Sequence, residues 1–188
     1  MRKAISLAAA AAAAVLIAAV PASAAVDAGA SADKQTAAPG GGEWIPVPSV
    51  PFDLAAGVRC DFPVHGEPIV DKVQKMVLQT YSDGSPKQEI YAGALIFRVT
   101  NTLTGASVDV DISGTGVARY KPGGSFGGPN STADVYGPIL LGMPEGLGNL
   151  PRGLYVPNGV YTLTISESGF RTVKWKIDGG ADNICDDL

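Results

Sequence analysis

Residues 92–114 read AGALIFRVTNTLTGASVDVDISG. In the second half Ser107, Asp109, Asp111 and Ser113 alternate with Val108, Val110 and Ile112. Successive side chains on a strand point to opposite faces, so the three aliphatic residues face a core and the four polar ones face water. On a helix the aspartates would scatter, and the β-branched residues would form it poorly. The first half, Gly93 to Asn101, is apolar almost to Arg98, the pattern of a central strand covered on both faces near its start. Gly105 supplies the left-handed conformation a tight connection needs. The stretch is a β-hairpin, and the rest of the chain reads as strands laid beside it.

Downstream, Val117–Tyr120 is a short strand and residues 121–131, KPGGSFGGPNS, form a loop. Ala133–Leu141 reads as one strand. Residues 142–153, GMPEGLGNLPRG, are long for a connection and carry Met143, Leu147 and Leu150. Such a loop caps a core or forms a lid over a pocket, and these three residues are the candidate ligand lid. Leu154–Val156 leads into Asn158-Gly159, a strong hairpin signal. Val160–Ser166 and Phe170–Asp178 alternate cleanly around a turn at residues 167–169. Upstream, Val58, Cys60, Phe62 and Val64 alternate with polar residues, so the first strand is expected here, with Pro63 marking an edge or end. Val70–Tyr81 fits either a helix or a strand, and strand is preferred. Residues 82–86 form a turn.

The chain begins with Arg2 and Lys3, an apolar run Ala8–Val20, and Ala22-Ser23-Ala24. A basic start, an apolar centre and a small-residue end make a secretory signal peptide over residues 1–24, cleaved between Ala24 and Ala25. The run is short for a membrane span. Residues 25–42 are rich in Ala, Gly, Ser and Asp and are expected to form a disordered tail. Residues 43–56 carry Pro46, Pro48 and Pro51 among apolar residues, an extended arm that docks on the domain. Residues 57–188 are then a single secreted domain. The chain has 14 basic and 18 acidic residues, a formal charge of −4. Cleavage would remove Arg2 and Lys3 and no acid, leaving 12 against 18, or −6. That balance disfavours nucleic acid and anionic membranes as partners.

Two cysteines, Cys60 and Cys185, are present. In an oxidising compartment such a pair bridges, which would bracket the domain. A zinc site needs further ligands, and His65 is the single histidine. No G-x-S-x-G elbow accompanies it, and a surface histidine is the preferred reading. Asp109-x-Asp111-x-Ser113-Gly114 resembles the opening of a calcium loop, but the twelfth position is Tyr120 rather than an acid. Asp109, Asp111, Glu145 and Glu167 offer no distinguished carboxylate pair. No phosphate-binding glycine motif precedes a helix. No catalytic residue, cofactor or metal is assigned. Tyr91, Tyr120, Tyr136, Tyr155, Tyr161 and Trp175 could line a carbohydrate or lipid site, although on strands they are more often core or sheet surface.

Cys60-Asp61-Phe62-Pro63-Val64, the segment Val99–Gly114 and the late Cys185 resemble a group of small secreted actinobacterial β-domain proteins of unknown function. The resemblance spans about residues 57–188 and implies no functional residue. Eight or nine short strands with frequent turns lead to an all-β fold, an antiparallel β-barrel or β-sandwich. Functionally, the absence of a catalytic constellation leads first to a non-catalytic extracellular or cell-wall-associated binding or structural domain. The second reading is a barrel carrying a small apolar ligand, distinguished by a hollow that its inward side chains do not fill. The third is a hydrolase or isomerase of cell-surface material.

Overall fold

A computed structural model describes residues 42–188. The expected signal peptide, its Ala24–Ala25 junction and nearly all of the expected tail lie outside the described residues. Among the described residues fourteen strands, numbered in chain order, form three antiparallel sheets, none of which closes on itself. The largest runs edge to edge through β1 (Ile45–Pro46), β4 (Gln74–Thr80), β5 (Pro86–Ala92), β8 (Thr115–Tyr120), β9 (Ser131–Tyr136), β12 (Val160–Ile165) and β13 (Arg171–Trp175). A four-stranded sheet contains β2 (Phe52–Leu54), β3 (Val64–Asp71), β6 (Leu95–Asn101) and β7 (Ser107–Asp111). A three-stranded sheet contains β10 (Leu141–Met143), β11 (Gly153–Pro157) and β14 (Ala181–Asn183), followed by a 3₁₀ turn at Ile184–Asp187.

The hairpin at residues 92–114 is the β6–β7 pair, with Phe97 opposite Val110 and Val99 opposite Val108. Gly105 has φ +78°. Phe97, Val99, Val110 and Ile112 are buried together with Val64, Cys60, Leu154 and Ile184. Asn101, also buried, accepts from the Leu103 amide (3.0 Å) and donates from Nδ2 to the Leu188 carbonyl (3.2 Å), tying the hairpin turn to the chain end. A second core on the seven-stranded sheet gathers Ala118, Tyr120, Ala133, Val135, Tyr161, Leu163 and Val173 with Leu141, Met143 and Tyr155. Neighbouring β11 residues serve different cores: Leu154 packs with the first and Tyr155 with the second. The period-2 alternation of a strand buried on both faces explains this.

The structure corrects several readings. Among the described residues there are fourteen strands rather than eight or nine: two come from the arm, and corners between sheets split runs expected to be single strands. Residues 70–81 are strand at both ends but divide between β3 and β4, which lie in different sheets. At the corner, the Asp71 carboxylate accepts from the Ser49 amide (2.5 Å) and the Val73 amide (3.1 Å). Ala133–Leu141 divides in the same way at Gly137–Leu140, into β9 and β10. The alternating stretch from Val58 is not a strand before Val64. The Gly57 amide donates to the Cys60 carbonyl (2.8 Å) in a compact turn that leaves Val58 exposed. Asn158-Gly159 makes no hairpin either. Its flanking strands β11 and β12 do not pair, and Gly159 (φ +87°) carries the chain from one sheet to another. The proline-rich arm supplies the edge strands β1 and β2, paired to β4 and β3.

Cys60 and Cys185 form a disulfide with Cα atoms 5.4 Å apart, joining the turn before β3 to the final 3₁₀ turn. It spans 125 residues. A loop of that size corresponds to about 4–5 kcal/mol in the chain-entropy model.

Candidate ligand-binding site

The inward face of the seven-stranded sheet can be read residue by residue. Tyr91 on β5 is in register with Gly116 on β8, which is opposite Val135 on β9, and Val135 is opposite Tyr161 on β12. The next inward row runs Glu89, Ala118, Ala133, Leu163 and Val173. The third contains Tyr120, Ser131, Ile165 and Arg171. The middle of this face is therefore built from Gly116, Ala118 and Ala133, with large residues around them. From the four-stranded sheet Phe52, Leu95 and Phe97 face the same space, with Ile112 just beyond β7.

The result is a hollow of about 490 Å³. Its wall continues through Val47 and Pro48 of the arm, Val73, Phe126 and Gly127 of the glycine loop, and Ile139–Gly142. Protein interiors are close-packed, with few voids larger than a water molecule. A volume in this range is instead that of small-molecule sites, which are concave and mainly apolar. Phe126 is half-exposed and packs at a tilt on Tyr91 with ring centroids 4.4 Å apart, so the glycine loop and the arm flank the side nearest solvent. A smaller hollow of about 250 Å³ adjoins, lined by Phe52, Leu54, Arg59, Leu140, Gly142, Leu154 and Arg171.

Glu89, its partner Lys75 and Arg171 are the charged groups on this inward face. Glu89 is 3% exposed. Its carboxylate accepts from Lys75 Nζ (2.9 Å), the Tyr91 hydroxyl (2.7 Å) and the Tyr120 hydroxyl (2.9 Å). Burial pushes its pKa up, but these bonds outweigh burial and hold it below the usual glutamate range. Burial, above all, drives the Tyr91 and Tyr120 pKa values upward, so both stay protonated as donors. Arg171 is different. Its Nη1 donates to the Gly142 carbonyl, while its Nε is buried without a hydrogen-bond partner among the described residues. Burial lowers its pKa, and burial followed by the charge of Arg171 lowers that of Arg59.

The sequence-derived candidates fall elsewhere. Met143 is fully buried in the core, Leu150 is half-buried against it, and Leu147 is exposed; none of the three lines the hollow. The residues that flank it come from the arm and the 121–131 loop. Asp109 is held by Arg98 through Nε (2.7 Å) and Nη2 (2.8 Å), and Asp111 accepts from the Ser113 amide (3.0 Å). Glu145 lies 3.5 Å from Arg152, and Glu167 is exposed in the β12–β13 turn. His65 Nδ1 pairs with Asp53 (2.8 Å) on the outward face of β2 and β3. Of the nominated aromatics, Tyr91 and Tyr120 line the hollow, Tyr155 and Tyr161 are core, and Tyr136 is exposed. Among the described residues no group of three or more His, Cys, Asp or Glu is placed to hold a metal, and no helix is long and apolar enough to cross a membrane.

Sequence reasoning missed Arg171, Glu89 and the small-residue floor. The available signal was alternation in Thr115–Tyr120 and Ser131–Tyr136, where Gly116, Ala118, Ser131 and Ala133 take positions that a filled core would give to larger residues. No protein-family model matches the chain, and no curated protein or solved structure is significantly similar to it.

Proposed function

We propose that this protein is an exported, non-catalytic β domain that binds a small apolar ligand between its sheets. The observation that carries the reading is the unfilled apolar hollow floored by Gly116, Ala118 and Ala133. Apolar cavities in proteins stay dry and accept apolar guests. This favours ligand binding over the loop-mediated binding or structural role that the sequence suggested first. The reading takes the arrangement as an open sandwich, supported by edge strands β1 and β13 that do not pair with each other. The proposed export rests on the residue 1–24 pattern and accords with the Cys60–Cys185 bridge. The kinship with secreted actinobacterial β domains rests on the three stretches quoted above.

Mass spectrometry of protein recovered from the medium of a secreting host tests this. A chain starting at Ala25 supports export. An extra mass present under native conditions and lost on denaturation supports ligand binding. Retention of residues 1–24 in the released protein would refute the cleavage.

A further inference from the structure

Arg171 and Arg59 share the wall of the smaller hollow, and Arg171 also lines the larger one. Among the described residues neither arginine has a carboxylate within salt-bridge distance, whereas Arg98, Arg119 and Arg152 are all paired with acids. Arg59 spends one donor on the Val58 carbonyl and Arg171 one on the Gly142 carbonyl. A guanidinium carries five N–H donors, so most of this capacity meets no acceptor among the described residues, and Arg171 Nε does so while buried. Two guanidinium groups on one wall, with the Arg171 charge bearing on Arg59 and apolar surface beside them, call for an anion. The rest of the larger hollow is mainly apolar, and the one acid on its inward face, Glu89, is already satisfied by Lys75, Tyr91 and Tyr120.

We propose that the ligand is a single-chain anionic amphiphile, its aliphatic tail in the hollow over Ala118 and Ala133 and its carboxylate on Arg171, with Arg59 beside it. This rests on the apolar-ligand reading and names the chemical class of that ligand. The geometry suits it: Arg171 stands at the β13 edge of the inward face, across the small-residue floor from Tyr91. Arginine is the side chain best suited to take a carboxylate in a bidentate grip, as Arg98 does here with Asp109.

The test is displacement of the neutral fluorophore N-phenyl-1-naphthylamine from the purified protein by three compounds that share a ten-carbon chain: decanoate, decan-1-ol and decyltrimethylammonium. Decanoate should displace it at a concentration at least about tenfold below decanol, the scale of one charge-assisted hydrogen-bonded pair, and the cation should be weakest. Dodecanoate should bind roughly fifteenfold tighter than decanoate, two further methylenes being buried. Arg171→Met should abolish the preference for decanoate over decanol while decanol still competes. Arg59→Gln, on an accessible turn, should reduce it in part. Equal potency of all three compounds would overturn the anionic head group yet leave the apolar site standing. Failure of the fluorophore and all three compounds to bind would overturn both. The wild-type comparison decides the matter even if Arg171→Met does not fold.

Discussion

Ala118 on β8 and Ala133 on β9 are register partners at the middle of the seven-stranded sheet, and both border the hollow. Two methyl groups stand where a filled interior would carry branched or aromatic side chains. Glu89 and Leu163, their neighbours on either side, complete a row that is small only at its centre.

Filling that centre should remove the site without harming the fold. Ala133→Leu adds three carbons that would be buried, which stabilises by up to about 2 kcal/mol if the side chain enters without strain. Gly116→Val is the gentler variant, since a Cβ there would meet its nearest atom, the Asp134 carbonyl oxygen, at 3.6 Å. We expect unchanged or raised thermal midpoints and loss of N-phenyl-1-naphthylamine binding. A marked fall in midpoint for both variants would mean that the space is not open to side chains.

Phe52 couples the arm to this region. It stacks on Phe97 with centroids 5.8 Å apart, lines both hollows, and lies directly over Gly66 of β3. A Cβ on Gly66 would clash with the tip of the Phe52 ring. Gly66→Ala should therefore displace the ring and Phe52→Ala should remove it, each costing about 1–3 kcal/mol in urea unfolding for a half-buried aromatic. Both should weaken probe binding. Unaltered stability and binding in Gly66→Ala would show that the arm is not seated there.

The disulfide closes nearly the whole folded region. Cys60→Ser, Cys185→Ser and the double variant should each lose about 2–5 kcal/mol in urea unfolding relative to the oxidised protein. The three losses should be nearly equal, because each removes the same single bond. Reduction of the native protein should reproduce the loss, and a reduced protein as stable as the oxidised one would sink this expectation.

Asp134 lies on the outer face, where it accepts from Lys176 (2.6 Å), Arg119 (2.7 Å) and Thr162 (2.9 Å). The bonds from Lys176 and Arg119 hold its carboxyl far below the usual range. A folded-state pKa below the unfolded one contributes stability that is present above the unfolded value and is lost as pH falls through the folded value. With the unfolded value near about 4, stability should decline from about pH 4.5 downward. Glu89, also held low, acts in the same direction. Asp134→Asn should be less stable at neutral pH and show a shallower acid decline in urea midpoints. An acid slope identical to wild type would assign the decline to other groups.

The hairpin at residues 92–114 was legible because Val108, Val110 and Ile112 need no distant partner to declare their face. The turn chemistry at Asn158-Gly159 was equally clear locally and still misleading. A turn sequence fixes how the chain bends and says nothing about which sheet the next strand joins. The alternation from Val58 to Val64 misleads because Cys60 is buried at its bridge to Cys185, while Val58 stands exposed on a turn rather than facing inward from a strand. Nothing in the local pattern of Phe170–Asp178 distinguishes Arg171. Its burial depends on Gly142 and Arg59, which lie far away in sequence. The hollow itself is a distance between sheets, and no local pattern encodes that.

The most direct test of the central claim is a fluorescence titration of the wild-type protein with N-phenyl-1-naphthylamine at neutral pH. The account predicts a saturable, blue-shifted enhancement with one probe per chain, as expected of one apolar site shielded from water. A linear, unsaturable response equal to that of buffer would contradict it, and the space between the sheets would then be closed in solution.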